Sequence, residues 1–172
     1  MATRTLRSIA ATAAVLTLAI TGQAPGSSSQ ALAAAQAGAG SKGTNGARTV
    51  TLEGIDAMKF VPAAIQARPG ETLRVVVKTT SNLPKVVMAH NFVLLALGTD
   101  VTAFVNDAMK ARATDFVPAS RKAEVIAATG LAGKGETVEV TFTVPKKPGK
   151  YTFVCTFPGH FAGGMTGTLI VS

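Results

Sequence analysis

The sequence predicts an all-β protein, a Greek-key β-sandwich of about eight strands with one short helical insertion. Short segments that alternate between apolar and polar residues recur from residue 48 to residue 172, and Pro/Gly turns separate them. Helical spacing of apolar residues occurs in one segment of this region, Asp100–Ala113. Many short strands with regularly spaced turns are typical of a two-sheet sandwich, in which we expect antiparallel pairing.

The expected strands are bounded by residues that break regular structure. Pro62 bends the chain, Pro69-Gly70 turns it, and Lys147–Lys150 turns it again near the end. The run at Val86–Leu95 is the densest in β-forming residues, so we expect it to be a central strand. The expected strands are Thr49–Glu53, Met58–Val61, Ala64–Ala67, Thr72–Lys78, Val86–Leu95, Glu124–Ala127, Thr137–Val144, Tyr151–Cys155 and Met165–Val171.

The helical insertion is predicted at Asp100–Ala113. Either Thr99 or Asp100 can cap its N-terminus. Its inward face is predicted to contain Val101, Phe104, Val105, Ala108 and Met109.

The first 47 residues of the chain predict export. Residues 1–33 combine basic Arg4 and Arg7, an uncharged apolar run and a small-x-small cleavage site, which together indicate a signal peptide. Residues 34–47 are mainly Ala, Gly, Ser and Asn and predict a flexible linker. Residues 48–172 then form the folded domain. We expect a periplasmic or secreted protein with no transmembrane segment in its mature form.

The charge of the chain limits its partners. The 17 basic and nine acidic residues give a formal net charge of +8. Nucleic acid is not expected, because the chain has one Tyr, no Trp and no basic cluster interleaved with aromatic residues. An acidic protein or an anionic membrane surface fits the charge better, although a solvated basic face without a partner is more common.

The single cysteine lies in a segment that carries metal-ligating side chains. Cys155, His160 and Met165 share one loop, and His90 is the only other histidine. A lone thiol in an exported protein is more plausible when a metal coordinates it. A copper ion that changes oxidation state favours thiolate, imidazole and a weak thioether. Zinc is the alternative metal, since two His and one Cys also suit it.

The motif Cys155-Thr156-Phe157-Pro158-Gly159-His160 followed by Met165, with Met88-Ala89-His90-Asn91 upstream, resembles the small blue copper proteins, the cupredoxins. The similarity is greatest to their azurin and auracyanin branch and runs from about Thr49 to Ser172.

The resemblance implies one copper ion and a role for each residue of the motif. The ligands would be His90, Cys155 and His160 in a near-trigonal plane, with Met165 as a weak axial ligand and the Ala89 carbonyl as a possible weak contact. Asn91 would tie the two ligand segments together by bonding near Thr156, and its N–H would reach the Cys155 sulfur. Thr156 and Phe157 would support the ligands in the same way.

Three features depart from azurin. Four residues, rather than three, separate His160 from Met165, which is an auracyanin-like spacing. A chain with one cysteine cannot form the disulfide of azurins. Ala89 stands where azurins have Gly, and its side chain could hold its carbonyl farther from the metal.

The expected function is electron transfer rather than catalysis, because the ligands leave no coordination position for a substrate. Electrons would pass through the edge of His160, and a redox partner protein such as a cytochrome would dock transiently. The docking rim would contain Met58, Met88, Phe157, Pro158, Gly159, Phe161 and Ala162.

Copper storage or delivery is the alternative function. A multicopper enzyme would need further histidines. We expect a monomer.

Overall fold

A computed structural model describes residues 46–172, so the predicted signal peptide and nearly all of the predicted linker lie outside the described residues. The described part contains nine strands in two sheets, which confirms the predicted sandwich. The strands are β1 Arg48–Ile55, β2 Lys59–Val61, β3 Ala64–Ala67, β4 Thr72–Thr79, β5 Val93–Leu95, β6 Val125–Ala128, β7 Thr137–Thr143, β8 Gly149–Val154 and β9 Thr166–Val171.

The strand order is β2-β1-β4-β7 in the first sheet and β3-β9-β8-β5-β6 in the second. Most neighbours are antiparallel, but β1 pairs with β4 and β3 pairs with β9 in parallel. The expectation of a purely antiparallel sandwich was therefore wrong. The parallel pairs arise because β2 and β3 lie in different sheets, so the chain crosses the sandwich before β4 returns beside β1.

The core lies between the sheets and is formed by the apolar positions of the alternating strands. In β4, Leu73, Val75 and Val77 are fully buried, while Arg74 and Val76 between them are partly exposed. Phe153 of β8 packs edge-on against Phe60, with ring centroids 5.3 Å apart. The period-two pattern therefore predicts correctly which side of each long strand faces the core.

Both faces of β5 are covered. Leu94 belongs to the central core, whereas Val93 and Leu95 pack with Phe104 and Val105 of helix α1, Val101–Ala108. Because neither face reaches solvent, β5 is apolar throughout. The helix thus covers the outer side of the second sheet.

Helix α1 begins as predicted and ends earlier. The Asp100 side chain accepts a hydrogen bond from the Ala103 N–H at 3.0 Å, which confirms the cap. The helix ends at Ala108, and Met109 is 47% exposed rather than buried. A short 3₁₀ turn follows at Arg112–Thr114. No helix in residues 46–172 is long and apolar enough to cross a bilayer.

The predicted central strand at Val86–Leu95 is wrong for most of its length. The Pro84 carbonyl accepts hydrogen bonds from the N–H groups of Val87 and Met88, which closes a turn and takes these residues out of the sheet. Val86 is consequently 71% exposed. Only Val93–Leu95 pairs with neighbouring strands, β6 and β8. Here the turn after a proline determines the backbone conformation, although the residues favour a β-strand.

Candidate metal centre

Three metal-ligating side chains converge at one end of the sandwich. His90 Nδ1 lies 3.2 Å from His160 Nδ1, and Cys155 Sγ lies 3.5 Å from the same His160 atom. One ligand atom from each residue falls within 4.8 Å of the others, and all three residues are buried. The structure therefore brings together the three residues that the sequence analysis predicted as metal ligands.

His90 is held by residues distant in the sequence. Its N–H donates to the Ala132 carbonyl at 2.9 Å, and its carbonyl accepts from the Ala132 N–H at 2.8 Å. Its ring packs on Gly54 of β1, where a Cβ atom would lie 2.6 Å from His90 Cδ2. Only glycine at position 54 allows the strand to approach the ring this closely.

His160 belongs to a compact loop that we call the ligand loop, residues 155–165. The loop closes on itself, because the Cys155 N–H donates to the Met165 carbonyl at 3.1 Å and the Met165 N–H donates to the His160 carbonyl at 2.9 Å. Gly159 and Gly164 adopt φ values of +85° and +86°, which favour glycine. The loop thereby fixes the relative positions of the residues predicted as ligands.

Asn91 joins the segment that contains His90 to the ligand loop. Its side-chain amide accepts from the Thr156 N–H at 2.8 Å and donates to the Thr156 hydroxyl at 2.8 Å. The backbone N–H groups of Asn91 and Phe157 also point to the Cys155 sulfur. The side-chain hydrogen bonds expected between Asn91 and Thr156 are thus present, and they join the segment that carries His90 to the segment that carries Cys155.

Met165 and Ala89 are the predicted weak contacts. Met165 is fully buried and packs in the same core cluster as Cys155. The Cys155 thiol points to the Ala89 carbonyl, with the sulfur 3.9 Å from the oxygen. Both residues therefore lie beside the three converging side chains, and their coordination to a metal stays a prediction.

Burial sets the protonation of the cluster. It raises the pKa of the Cys155 thiol to about 12, against the smaller opposing effect of the Asn91 and Phe157 N–H groups. Burial, followed by the proximity of His160, lowers the pKa of His90 to about 4, and Asp56 opposes this shift. Burial also lowers the pKa of His160. Near neutral pH both imidazoles are therefore neutral, and a metal must displace the thiol proton.

The spacing of the three side chains fits a single metal ion. Bonds of about 2.0–2.1 Å to nitrogen and 2.3 Å to sulfur are typical of such ligands. With these lengths, the observed N···N separation of 3.2 Å and N···S separation of 3.5 Å would allow all three atoms to bind one ion. His90 Nε2 is buried and has no hydrogen-bond partner within residues 46–172. The position of the ring is therefore set mainly by packing and by the contact between its Nδ1 and His160 Nδ1.

The predicted docking rim surrounds the ligand loop. Pro158, Gly159 and Ala162 are exposed, whereas Met58, Met88, Phe157 and Phe161 are partly buried. His160 itself is only 3% exposed, because the Phe157 ring packs against it with centroids 4.8 Å apart. The exposed imidazole edge is therefore smaller than the sequence analysis expected.

The loop after helix α1 contributes residues that the sequence analysis missed. Asp115 and Phe116 adopt positive φ values of 51° and 60° without being glycine. The Asp115 carbonyl accepts from the Asn91 amide at 2.8 Å, and the Phe116 ring contacts the Phe157 ring edge-on at 5.6 Å. No glycine or other local signal marks this conformation, so only the tertiary structure identifies it.

A groove of about 570 Å³ lies beside the ligand loop, between the turn at Val86 and the loop after α1. Its lining carries charges of both signs. Its residues are Lys85, Val86, Arg112, Asp115, Phe116, Leu131, Phe157 and Pro158.

The two-sheet fold and the buried His/Cys/His cluster define a β-sandwich metal-binding protein. Residues 47–172 match the family model described as copper binding proteins, plastocyanin/azurin family. The chain therefore belongs to the plastocyanin/azurin family of copper-binding proteins.

Similar proteins come from both branches that the sequence analysis named. Azurin of Pseudomonas fluorescens biotype C is 40% identical over 70% of this chain and 94% of its own length. Auracyanin-B of Chloroflexus aurantiacus is 36% identical over 81% of this chain, but the match spans only 59% of that relative. The crystal structure of reduced auracyanin from Roseiflexus castenholzii aligns with a TM-score of 0.64 at 36% identity, covering 72% of this chain and 96% of that one.

Proposed function

We propose that this protein is an electron carrier in which His90, Cys155 and His160 would hold one copper ion, with weaker contacts from Met165 and the Ala89 carbonyl. A copper ion held there would accept and release one electron by changing between Cu2+ and Cu+. The observation that carries the proposal is the convergence of one thiol and two neutral imidazoles, already close enough for one metal, in a buried site.

The surroundings of these side chains support electron transfer rather than catalysis. Hydrogen bonds from Asn91 and within the ligand loop fix the donors, so little rearrangement is needed when the charge of the site changes. Burial of all three residues leaves little room for a substrate beside the metal. A rigid, closed site is the requirement of a carrier, and it is unsuited to turnover of a bound molecule.

The surface around His160 is suited to the docking of a redox partner. Pro158 and Gly159 are exposed beside its ring and carry no charge. A small apolar rim suits brief contact with another redox protein, such as a cytochrome. Electrons would pass through the narrow exposed part of His160, and the protein would act as a monomer.

The proposed location is outside the cytoplasm, in the periplasm or beyond it. The support is the sequence of residues 1–33, which has the basic start, apolar run and cleavage site of a signal peptide. In this proposal, residues 34–47 link the cleavage site to the copper-binding domain at 48–172, and the basic chain could associate with a membrane surface.

Repeated redox cycling in the presence of a copper(I) chelator tests the proposal against storage or delivery. The copper-loaded protein is reduced with ascorbate and reoxidised with hexacyanoferrate while its visible absorbance is followed. A carrier should recover its absorbance over many cycles and retain one copper per chain. Transfer of the copper to the chelator in the first cycles would support storage or delivery instead, and a zinc-loaded sample serves as the redox-silent control.

A further inference from the structure

The turn between β1 and β2 lies against the part of the ligand loop that precedes Met165. We call Phe161–Gly164 the spacer, because it separates His160 from Met165. The Lys59 ammonium donates to the Gly163 carbonyl at 3.1 Å and to the Gly164 carbonyl at 3.2 Å. These bonds join residues more than 100 positions apart in the sequence.

The two glycines of the spacer make room for this contact. A Cβ atom at Gly163 would lie 2.7 Å from Met58 Sδ, and one at Gly164 would overlap the Lys59 ammonium. Gly164 also has a φ of +86°. A larger side chain at Gly163 would displace the Met58 side chain, and one at Gly164 would displace the Lys59 ammonium and strain the backbone.

The turn that presents Lys59 is itself well defined. Met58 has a positive φ of 54°, and its N–H donates to the Ile55 carbonyl at 2.9 Å. Lys59 then pairs with Ile55 at the start of β2, and Gly54 of the same hairpin supports the His90 ring. One hairpin thus contacts both segments that carry the proposed ligands.

We propose that Lys59 is a positioning residue for Met165, holding the spacer by its last two carbonyls so that the thioether keeps a fixed place beside the copper. Two successive glycines leave the backbone before Met165 with much conformational freedom. A cation that binds both carbonyls removes part of that freedom, because charge-assisted hydrogen bonds are stronger than neutral ones. The inference rests on the proposed function.

A positioning role differs from a purely electrostatic one in its dependence on salt. The positive charge of Lys59 would also favour the reduced, less positive site, but salt screens an exposed charge. A changed position of Met165 would alter the spectrum and the potential at any ionic strength. High salt therefore separates the two effects.

The experiment compares Lys59→Met with Lys59→Arg, which keeps the charge and the donors, and with Lys150→Met. Lys150 is an exposed lysine near the start of β8, whereas the ligand loop follows the opposite end of that strand. The measurements are the ratio of the visible charge-transfer bands, the reduction potential in low and about 1 M salt, and hydrogen exchange of the Gly164 and Met165 amides in the metal-free protein.

Lys59→Met should change the band ratio, shift the potential in both salt conditions and speed exchange of the two amides about threefold to tenfold, as expected for one or two lost hydrogen bonds. Lys59→Arg should keep the band ratio, the potential and the amide exchange close to those of the wild type, and Lys150→Met should match the wild type. An unchanged spectrum, unchanged exchange and a potential shift that disappears in salt would overturn the inference. Such a result with a wild type that is blue and cycles reversibly would leave the proposed function intact.

Discussion

The two segments that supply the converging side chains are fixed in different ways. Residues 89–91 are held from outside, because His90 bridges Ala132 and rests on Gly54. The ligand loop is largely held from within, by hydrogen bonds between Cys155 and Met165 and between Met165 and His160. The first segment needs the assembled sandwich, whereas the second carries much of its geometry in its own sequence.

The two imidazoles also differ in their surroundings, because His90 is enclosed by other parts of the sandwich and His160 has exposed neighbours. His90 is fully buried, whereas His160 is 3% exposed beside the exposed Pro158 and Gly159. A ligand held from within a surface loop can approach a partner protein without disturbing the core. A ligand clamped between strands can keep the metal in place during that approach.

Removal of each imidazole in turn should give the largest difference between the two segments, in the recovery of the visible absorbance. His160→Gly should lose the visible band and recover it when imidazole is added, because the exposed Pro158 and Gly159 flank the vacated position. His90→Gly should lose the band without recovery, because β1 and Ala132 enclose its position. Absorbance titrations of both copper-loaded variants with imidazole provide the measurement, and equal recovery of the two would contradict the contrast.

Acid should destabilise the metal-free protein through the buried histidines. Because the pKa of His90 falls from 6.5 to about 4 on folding, the unfolded chain binds more protons between these values. The stabilising contribution is therefore complete above about pH 6.5 and declines as the pH falls toward 4, with a slope of at most about 1.4 kcal/mol per pH unit for one histidine.

Urea unfolding of the metal-free protein between pH 7.5 and 5 measures this slope above the range in which most carboxylates titrate. His90→Gln serves as the control and should show a weaker pH dependence. A wild-type urea midpoint that stays constant across this range would show that the histidine is not held neutral by burial.

Gly54→Ala should disturb the externally held segment. The added methyl group would meet the His90 ring at 2.6 Å, and overpacking of this kind costs about 1–3 kcal/mol. Gly130→Ala is the matched control, since its Cβ would meet only the end of the Asp115 side chain, at 3.1 Å. Urea midpoints of the metal-free variants provide the measurement. Equal stability of Gly54→Ala and the wild type would mean that the ring moves freely.

The hydrogen bonds between the two segments should show a smaller, cooperative effect. Asn91→Ala removes the amide from the network, and Thr156→Val removes the hydroxyl while the Thr156 N–H remains. A double-mutant cycle should yield a coupling free energy of about 1 kcal/mol, since the residues are in direct contact. Additive effects of the two substitutions would show that the segments are joined by other contacts.

The sequence predicts the ligand loop better than the segment around His90. Cys155, His160 and Met165 lie within eleven residues, so their residue types and spacing together indicate a metal site. The partners of His90 are 36 and 42 positions away, at Gly54 and Ala132, and no local pattern links them. The contact between Lys59 and the spacer was missed for the same reason.

The fold, too, is predicted well where local patterns determine it and poorly where distant contacts do. Alternation in β4 predicts its buried face correctly, because that strand has one buried and one more exposed side. The run before His90 has equally strong β propensity, yet the turn after Pro84 removes Val86 from the sheet. The positive φ values of Asp115 and Phe116 also depend on tertiary contacts rather than on residue type.

The visible spectrum of the purified domain, recorded after addition of one equivalent of copper(II), tests directly whether Cys155 is a copper ligand. We expect an intense charge-transfer band that saturates at one copper per chain, disappears on reduction and is absent in Cys155→Ser. A weak spectrum, or an intense band that survives in Cys155→Ser, would contradict the assignment of Cys155 as the copper ligand and with it the proposed electron carrier.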